Sequence, residues 1–387
     1  MSSTPPASTA AASTVPASPG TDTPDPRLDD ALTVLHPDGQ VARPDLVPTD
    51  TAHVTRLYRA MRRARLFDER ALLLQRQGRL GVYPLFGGME ATQVGAALAL
   101  TPGRDWLAPT YRGSGCALAY GLPMSKVILN WRAHPDGFRM DPDLRVLPFY
   151  TPIANQLPHA TGIALAEARH ARREHRPSNV ALAFVGDGGT SEGDFHVGLN
   201  FAGAYRAPAV FVIENNGWAI STPTSRQTAA RTLASRGEGY GMPAVRVDGN
   251  DLLAVHHVTA EAVARARRGD GPTLIEAITY RILPHTSSDD PARYRDEVQA
   301  EAWKRRDPGL RLRAYLTREG AWDERQEDDL VREVDAELRA AVHDADAAPD
   351  LEPWELLEHV FETPTPEMRE QQAELRALHP ARSGGPA

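Results

Sequence analysis

The chain has 387 residues, which is enough for one large domain or two medium domains with a sizeable core. Its hydrophobic content of 41% and charged content of 24% are typical of a soluble globular protein, and its net charge of -8 argues against a nucleic-acid partner. No apolar run approaches the roughly 20 residues of a membrane helix, so no membrane partner is expected. Cys116 is the only cysteine, which excludes an intrachain disulfide and favours a reducing, cytoplasmic location.

The first part of the chain is predicted to combine an irregular tail with helices. Residues 1–45 are rich in Ser, Thr, Ala and Pro, a composition typical of a disordered tail. Apolar residues at helical spacing predict a helix over 51–79, and an Ala-rich segment predicts a short helix over 90–100. A strand-like DWLAP segment and the loop TYRGSG follow, and then an aperiodic surface loop over 131–152 and a helix over 155–170.

From residue 180 onward, short apolar strands alternate with helices. The strands are VALAFV, AVFVIE, AVRVD and TLIEAITY, and the helices are predicted over 191–206 and 251–268. This alternation predicts an α/β domain, residues 46–340, built on a doubly wound parallel sheet with helical N- and C-terminal extensions. Charged helices are predicted over 297–343 and 353–375, and residues 341–387 are predicted to form a C-terminal helical extension and tail.

A glycine turn and an Asn pair follow two of these strands. Asp187 stands among Gly186, Gly188 and Gly189, and the next strand ends at Asn215 and Asn216. Glycines between a strand and a helix let the backbone approach a phosphate closely. A carboxylate beside a diphosphate needs a cation, and Mg²⁺ takes carboxylate and amide oxygens together with substrate phosphates. The pattern therefore predicts that Asp187 and Asn216 hold a diphosphate through a divalent metal.

Two other interpretations of this turn are open. Gly186-Asp187-Gly188 begins a dinucleotide-binding fingerprint, but its third glycine is replaced by Ser191. The acidic residue that ends the next strand, Glu214, also lies farther along the chain than the roughly 20 residues expected after the first glycine. Asp187 would also lie beside the pyrophosphate as an uncompensated anion. A purely structural glycine turn is the other alternative, because such turns are common in α/β folds.

The G-D-G and N-N motifs resemble the binding motif of thiamine diphosphate enzymes. The resemblance implies that the metal ligands are Asp187, Asn216 and the main-chain carbonyl of Trp218. From Tyr58 to about Gln371 the chain resembles the alpha subunit of the decarboxylase component of branched-chain 2-oxo acid dehydrogenase complexes. The matching segments include RARLFDERALLLQRQGRLG, YRGSG, GDGGTSEGDFHVGLNFA, NNGWAISTPTS and YRILPHTSSDDPARYR. The expected fold is therefore the diphosphate half of the thiamine diphosphate-binding type.

The resemblance also implies further site residues. Tyr111 and Arg112 would bind the cofactor diphosphate, and His285 would contact its phosphate and assist acyl transfer as the catalytic residue. Ile153 would hold the two cofactor rings in a bent conformation. The cofactor-binding residues implied in this way are Tyr111, Arg112, Thr151, Ile153, Gly186, Asp187, Gly188, Gly189, Asn216, Trp218, Ile220 and His285.

Some expected features are less closely tied to the motifs. A K⁺ ion could be held near Asn155 and Gln156, although the local sequence departs from the relatives. Arg281 would steady the loop of His285 or contact phosphate. Thr286 stands where mitochondrial relatives carry a regulatory phosphoserine, but a plain loop-ordering role is the simpler interpretation. Glu214 replaces a basic residue that often helps to hold phosphate in relatives, and residues 138–149 match the relatives poorly.

The resemblance implies oxidative decarboxylation of branched-chain 2-oxo acids, with transfer of the acyl group to the lipoyl arm of an acyltransferase core. The second α/β domain needed for this chemistry would come from a separate beta subunit in an alpha2beta2 heterotetramer. Three alternatives are compatible with parts of the sequence: a pyruvate or acetoin dehydrogenase alpha subunit, a subunit acting mainly in assembly or regulation, and a hydride-transfer enzyme.

Overall fold

A five-stranded parallel sheet forms the centre of the fold. The computed structural model describes residues 25–149, 151–358 and 360–379. The strands are β1 (Trp106–Ala108), β2 (Ala181–Gly186), β3 (Ala209–Asn215), β4 (Trp218–Ala219), β5 (Thr222–Pro223), β6 (Ala244–Asp248) and β7 (Thr273–Ile278). The sheet order is β1-β2-β3-β7-β6, with all neighbours parallel, whereas β4 and β5 form a small antiparallel ribbon. The predicted parallel α/β fold is confirmed.

Helices cover both faces of this sheet. The α-helices are α1 (Thr51–Arg76), α2 (Glu90–Ala97), α3 (Ser114–Tyr120), α4 (Met124–Trp131), α5 (Pro135–Phe138), α6 (Gln156–Arg173), α7 (Gly193–Ala204), α8 (Arg236–Gly239), α9 (Leu252–Arg267), α10 (Glu297–Lys304), α11 (Pro308–Arg318), α12 (Glu324–Asp346) and α13 (Pro366–Leu378). Short 3₁₀ helices span Pro26–Leu28, Pro44–Leu46, Gly188–Ser191, Thr224–Arg226, Pro291–Arg293 and Pro353–Leu357. In the described part of the chain, no helix is both long and apolar enough to cross a bilayer.

The two faces of the sheet have separate apolar cores. Helices α6 and α7 pack together on one face, over Phe195, Leu199 and Phe211. Helices α2 and α9 cover the other face, where α1 and α12 enlarge the core. Every residue of β3 is buried, because a parallel strand covered on both sides has no solvent face.

Residues 25–45 are part of this packed structure and not of a disordered tail. Val34 and Leu35 are 0% and 1% exposed, and their backbone N–H groups donate to Asp251 Oδ2 at 2.7 and 2.6 Å. Leu32 pairs with Val247 at the edge of the sheet. The prediction of a tail over 1–45 is therefore wrong for residues 25–45, where a few apolar side chains bury themselves despite the Pro-rich composition. Residues 1–24 lie outside the described residues.

The C-terminal region contains more breaks than the sequence pattern predicted. The predicted helical stretch 297–343 consists of α10, α11 and α12, and new helices begin where Asp307 and Asp323 accept hydrogen bonds from the first backbone N–H groups. The predicted domain boundary at residue 340 falls within α12. The predicted loop over 131–152 contains the short α5 and buries Val146 and Phe149, while residue 150 lies outside the described residues.

Candidate active site

A cavity of about 590 Å³ opens at the carboxyl ends of the central strands. This edge is where ligands bind in open α/β sheets, because the loops after neighbouring parallel strands converge there. The structure brings all twelve residues predicted to bind the cofactor to this cavity, whereas Asn155 and Arg281 are not among the described residues that line it. Its lining includes Tyr111, Arg112, Thr151, Ile153, Gly186, Asp187, Gly188, Gly189, Asn216, Trp218, Ile220 and His285.

Asp187 places a buried carboxylate directly after β2. It is 1% exposed, and its Oδ2 accepts hydrogen bonds from Thr224 Oγ1 at 3.0 Å and from Gln227 Nε2 at 2.8 Å. Burial raises the pKa of Asp187, although these two hydrogen bonds favour the charged form. A carboxylate that is desolvated to this degree gains free energy from a nearby cation.

The donors to Asp187 allow a direct test of that cation site. Replacing Gln227 by Leu removes one hydrogen bond to the carboxylate without removing a proposed ligand. We expect the half-saturating Mg²⁺ concentration to rise by about 10- to 100-fold, as is typical when a partner that orients a ligand is lost. A Mg²⁺ titration of cofactor binding measures this shift, with Ser225→Ala as the control in the same exposed segment. An unchanged half-saturation in Gln227→Leu would contradict the orienting role.

Close packing explains two of the glycines around Asp187. A Cβ atom on Gly188 would lie 2.5 Å from the Cβ of Ala219, and one on Gly189 would lie 2.6 Å from Val185 Cγ2. A side chain at position 188 would push the loops after β2 and β3 apart, and one at position 189 would displace the side chain of Val185 in β2. A Cβ atom on Gly186, in contrast, would meet nothing within 4 Å, so this glycine leaves open space at the cavity wall.

The turn after β3 presents oxygen atoms beside Asp187. Asn216 Oδ1 accepts a hydrogen bond from the N–H of Trp218 at 3.1 Å, across Gly217 with its φ of 86°. Arg281 donates to the carbonyl oxygens of Trp218 and Ile220 at 3.3 and 2.6 Å. Arg281 is 1% exposed and its hydrogen bonds steady the loop of Trp218 and Ile220, whereas the sequence suggested that it steadies the loop of His285 or contacts phosphate.

Arg112 and His285 form the opposite, cationic side of the site. Arg112 donates to the carbonyl oxygen of Leu85 at 2.6 Å and approaches His285 Nδ1 with Nη2 at 3.0 Å. Because guanidinium groups only donate, His285 Nδ1 must accept, so the neutral ring carries its proton on Nε2. Burial and the charges of Arg112 and Arg281 lower the pKa of His285 to about 4. The edge of the Tyr111 ring meets this imidazole, with centroids 6.2 Å apart.

This side of the cavity is suited to an anion. Arg112 is 5% exposed and Arg281 is 1% exposed, and both lie against His285. A bound phosphate would be attracted by both guanidinium groups and would favour the protonated form of the imidazole. The cavity therefore combines the Asp187 carboxylate, which a cation would stabilise, with the guanidinium groups of Arg112 in its wall and Arg281 behind His285, which would attract an anion.

Comparison with known proteins identifies the family of this chain. The family described as dehydrogenase E1 component matches residues 58–354. The chain belongs to this family. The 3-methyl-2-oxobutanoate dehydrogenase subunit alpha of Mycobacterium tuberculosis is 44% identical over 350 residues, covering 87% of this chain and 93% of that protein. The pyruvate dehydrogenase E1 component subunit alpha of Staphylococcus aureus is 40% identical over 340 residues, covering 87% and 90%.

These matches confirm the predicted resemblance to alpha subunits of branched-chain 2-oxo acid decarboxylases. They also confirm the predicted enzyme class, a 2-oxo acid dehydrogenase E1 component. The pyruvate-type alternative shares the family but is matched at the lower identity of the two relatives given above.

Glu214 is the main departure of this E1 chain from the expected pattern. It is 3% exposed, lines the cavity and accepts a hydrogen bond from Gln93 Nε2 at 3.1 Å. Burial raises the pKa of Glu214 to about 7, although the bond from Gln93 and the charge of Arg112 favour ionisation. The side chain of Glu214 faces the cavity. Its positively charged neighbour there is Arg112.

Residues 153–156, at the start of α6, supply an aliphatic side chain and a buried oxygen that accepts no hydrogen bond from the described residues. Ile153 is 44% exposed although it lines the cavity. Gln156 donates from Nε2 to the carbonyl oxygen of Phe184 at 2.5 Å, while its buried Oε1 has no hydrogen-bond partner among the described residues. Asn155 donates from Nδ2 to Asp194 at 3.0 Å. Gln156 Oε1 is thus available to a cation.

Sequence reasoning missed Gln93, Thr224 and Gln227. Thr224 and Gln227 lie in the segment STPTSRQ just after the Asn-Asn turn, which is the one sequence signal that could have suggested them. Among the described residues no group of three or more His, Cys, Asp or Glu side chains is placed to hold a metal. The candidate cation site therefore depends on one carboxylate together with amide and main-chain oxygens.

Proposed function

We propose that the chain is the alpha subunit of a thiamine diphosphate-dependent decarboxylase acting on branched-chain 2-oxo acids, with transfer of the acyl group to the lipoyl arm of an acyltransferase. The observation that carries this proposal is the pairing of buried Asp187 with Arg112 and His285 across one cavity at the sheet edge. A Mg²⁺-diphosphate group has the matching charges, because its metal needs oxygen ligands and its phosphates need cationic donors.

The residues of the site fit such a group. Asp187 and Asn216 would give side-chain oxygens to Mg²⁺, and Trp218 would give its carbonyl oxygen. That carbonyl accepts a long hydrogen bond from Arg281, at 3.3 Å, and a carbonyl oxygen has two lone pairs, so a cation can share it. Gly186 leaves room for a close approach of the ligand. The orphaned Gln156 Oε1 supports a second cation, K⁺, beside this site.

Each residue would have a separate part in the reaction. When bound, thiamine diphosphate supplies the electron-accepting thiazolium that makes loss of carbon dioxide from a 2-oxo acid feasible. Arg112 would hold the diphosphate, and Tyr111 would pack against His285 beside it. Ile153 presents its exposed side chain to the cavity, where it would support the cofactor rings. His285 would donate a hydrogen bond from Nε2 to phosphate and would move a proton during acyl transfer.

A beta subunit is proposed to complete the active site. The described residues hold a single five-stranded sheet with one candidate half-site, and Ile153 and Ile220 at the cavity are 44% and 58% exposed. Exposed aliphatic residues beside a binding cavity are typical of surfaces that another chain covers. An alpha2beta2 heterotetramer that delivers acyl groups to a lipoylated acyltransferase is the assembly we expect, with a cytoplasmic location.

Substrate choice is tested by comparing kcat/KM for 2-oxoisovalerate and pyruvate. The chain is purified together with its beta subunit and assayed with thiamine diphosphate and Mg²⁺. One missing methylene in an apolar pocket changes discrimination by about 10- to 200-fold, and pyruvate lacks two methyl groups of 2-oxoisovalerate. We therefore expect 2-oxoisovalerate to be preferred by at least 10-fold. Preference for pyruvate would keep the cofactor chemistry and assign the chain to the pyruvate branch, which the 40% identical relative makes the second candidate.

A further inference from the structure

The segment 25–29 packs against the turn that carries the proposed metal ligands. Within it, Asp25 accepts hydrogen bonds from Arg27 Nε at 3.2 Å and from Arg27 Nη2 at 2.9 Å. Asp25 Oδ2 also accepts from Trp303 Nε1 at 3.1 Å. The guanidinium carbon of Arg27 lies 5.3 Å from the Trp303 ring centroid and 5.9 Å from that of Tyr280. These contacts fix the direction of the Arg27 side chain.

Arg27 points this fixed guanidinium at the Asn-Asn-Gly turn. Its Nη1 donates to the carbonyl oxygen of Asn215 at 3.4 Å. The same Nη1 would lie only 3.1 Å from a Cβ atom on Gly217, so the guanidinium packs closely against that glycine. Asn216 and Trp218, the two proposed ligands from this turn, each follow one of the residues that Arg27 touches.

A second connection ties the segment to the same turn. Asn215 Nδ2 donates to Glu276 Oε1 at 2.8 Å, and Glu276 Oε2 lies 3.5 Å from Arg246 Nε. Arg246 in turn donates to the main-chain carbonyl oxygens of Arg27 and Asp29. The main-chain oxygen of Asn215 is thus bonded to Arg27 directly, and its side chain is linked to the 25–29 backbone through the buried Glu276 and the partly buried Arg246.

We propose that residues 25–29 are a strap that positions the metal-binding turn, with Arg27 as its positioning residue. The proposal rests on the proposed function, because it concerns the ligands of the Mg²⁺-diphosphate group. Arg27 supplies no ligand itself and does not line the cavity formed by the described residues. It restricts the main chain between Asn215 and Trp218, so that the side chain of Asn216 and the carbonyl of Trp218 are held in place before the metal binds.

The test compares Arg27→Ala with Arg43→Ala in the full chain bound to its beta subunit. Arg43 is a suitable control because it belongs to the same N-terminal region and, among the described residues, its side chain pairs with exposed Asp45 alone, at 2.7 Å. Titrating Mg²⁺ at fixed thiamine diphosphate, and following binding calorimetrically, should show a 10- to 100-fold rise in half-saturating Mg²⁺ for Arg27→Ala. The kcat at saturating Mg²⁺ should stay within about 3-fold of the parent, because no ligand has been removed. A half-saturation equal to that of Arg43→Ala would overturn the proposal.

Amide hydrogen exchange separates failure of the strap from failure of the proposed function. In the chain without cofactor, Arg27→Ala should exchange faster than Arg43→Ala at residues 215–220, because local opening of the turn becomes easier. Equal exchange would sink the strap even if the cofactor binds normally. If the parent protein binds no cofactor with Mg²⁺, the proposed function fails while the exchange result still decides the strap. Arg27→Lys, which keeps the charge and a donor, should lie between the two variants and covers the case in which Arg27→Ala does not fold.

Discussion

Replacing Asp187 by Asn is expected to lower metal-dependent turnover by more than 100-fold and to leave the protein without cofactor at least as stable as before. The amide keeps an oxygen that can accept the bonds from Thr224 and Gln227, so the local structure can persist. The charge that the cation needs is lost, and losing a ligand should exceed the 10- to 100-fold cost of losing a partner that only orients one. Turnover of the assembly with its beta subunit measures the first effect.

Thermal unfolding of the isolated variant measures the second effect. Burial raises the pKa of Asp187, which means that its charged form costs free energy in the absence of a cation. Removing the charge should therefore leave Tm unchanged or raise it, while the Tm increase that Mg²⁺ and thiamine diphosphate give the parent protein should disappear. A variant that loses activity together with several degrees of Tm would point to a structural role for Asp187. Retained metal-dependent activity would remove Asp187 from the metal site altogether.

Replacing His285 by Ala is expected to lower the complete reaction, including acyl transfer to a lipoyl domain, by about 100- to 10,000-fold, the usual range for loss of a general acid or base. Decarboxylation followed with an artificial electron acceptor should fall by less than about 10-fold. The difference arises because His285 is proposed to move a proton during acyl transfer, whereas Asp187 and Arg112 hold the diphosphate. The two assays on one preparation measure it.

Ser288→Ala is the matched control for this loop. Ser288 is exposed, and its hydroxyl contacts only Thr286 Oγ1, at 3.2 Å, among the hydrogen bonds of the described residues. Both assays should stay near the parent values in the control. Equal losses in the two assays for His285→Ala would mean that His285 acts in cofactor binding and not in acyl transfer. Because the pKa of His285 is about 4 in the protein without ligand, the imidazole must gain basicity from a nearby phosphate to accept a proton near neutral pH.

Most of the residues predicted to bind the cofactor stand at or after the ends of parallel strands. They line one cavity because the carboxyl ends of these strands lie at the same edge of the sheet. Asp187 and Asn216 follow neighbouring parallel strands, so their positions at a common edge follow from the apolar strand pattern alone. His285 and Arg112 lie after β7 and β1, and the family resemblance supplied their connection to the site. What sequence could not give was the partner of each group: that Arg281 bonds to the loop of Trp218, or that Glu214 faces Gln93.

The N-terminal segment shows the other limit of the sequence pattern. Its Pro-rich composition predicts disorder when averaged over residues 1–45, but packing depends on individual side chains. Val34 and Leu35 bury themselves, and Asp251, far along the chain, accepts their backbone N–H groups. Contacts of this kind join residues more than 200 positions apart, and no local window contains both partners. The positioning role proposed for Arg27 could not be predicted from the sequence for the same reason, because its contact with Asn215 joins residues 188 positions apart.

The most direct measurement is release of carbon dioxide from 2-oxoisovalerate by the purified alpha and beta chains together, with thiamine diphosphate and Mg²⁺ each present or omitted. The account predicts release that requires both, and that is lost when the alpha chain carries Asp187→Asn. Release that continues without the metal, or that is unaffected by Asp187→Asn, would contradict a Mg²⁺-diphosphate site at the ends of β2 and β3.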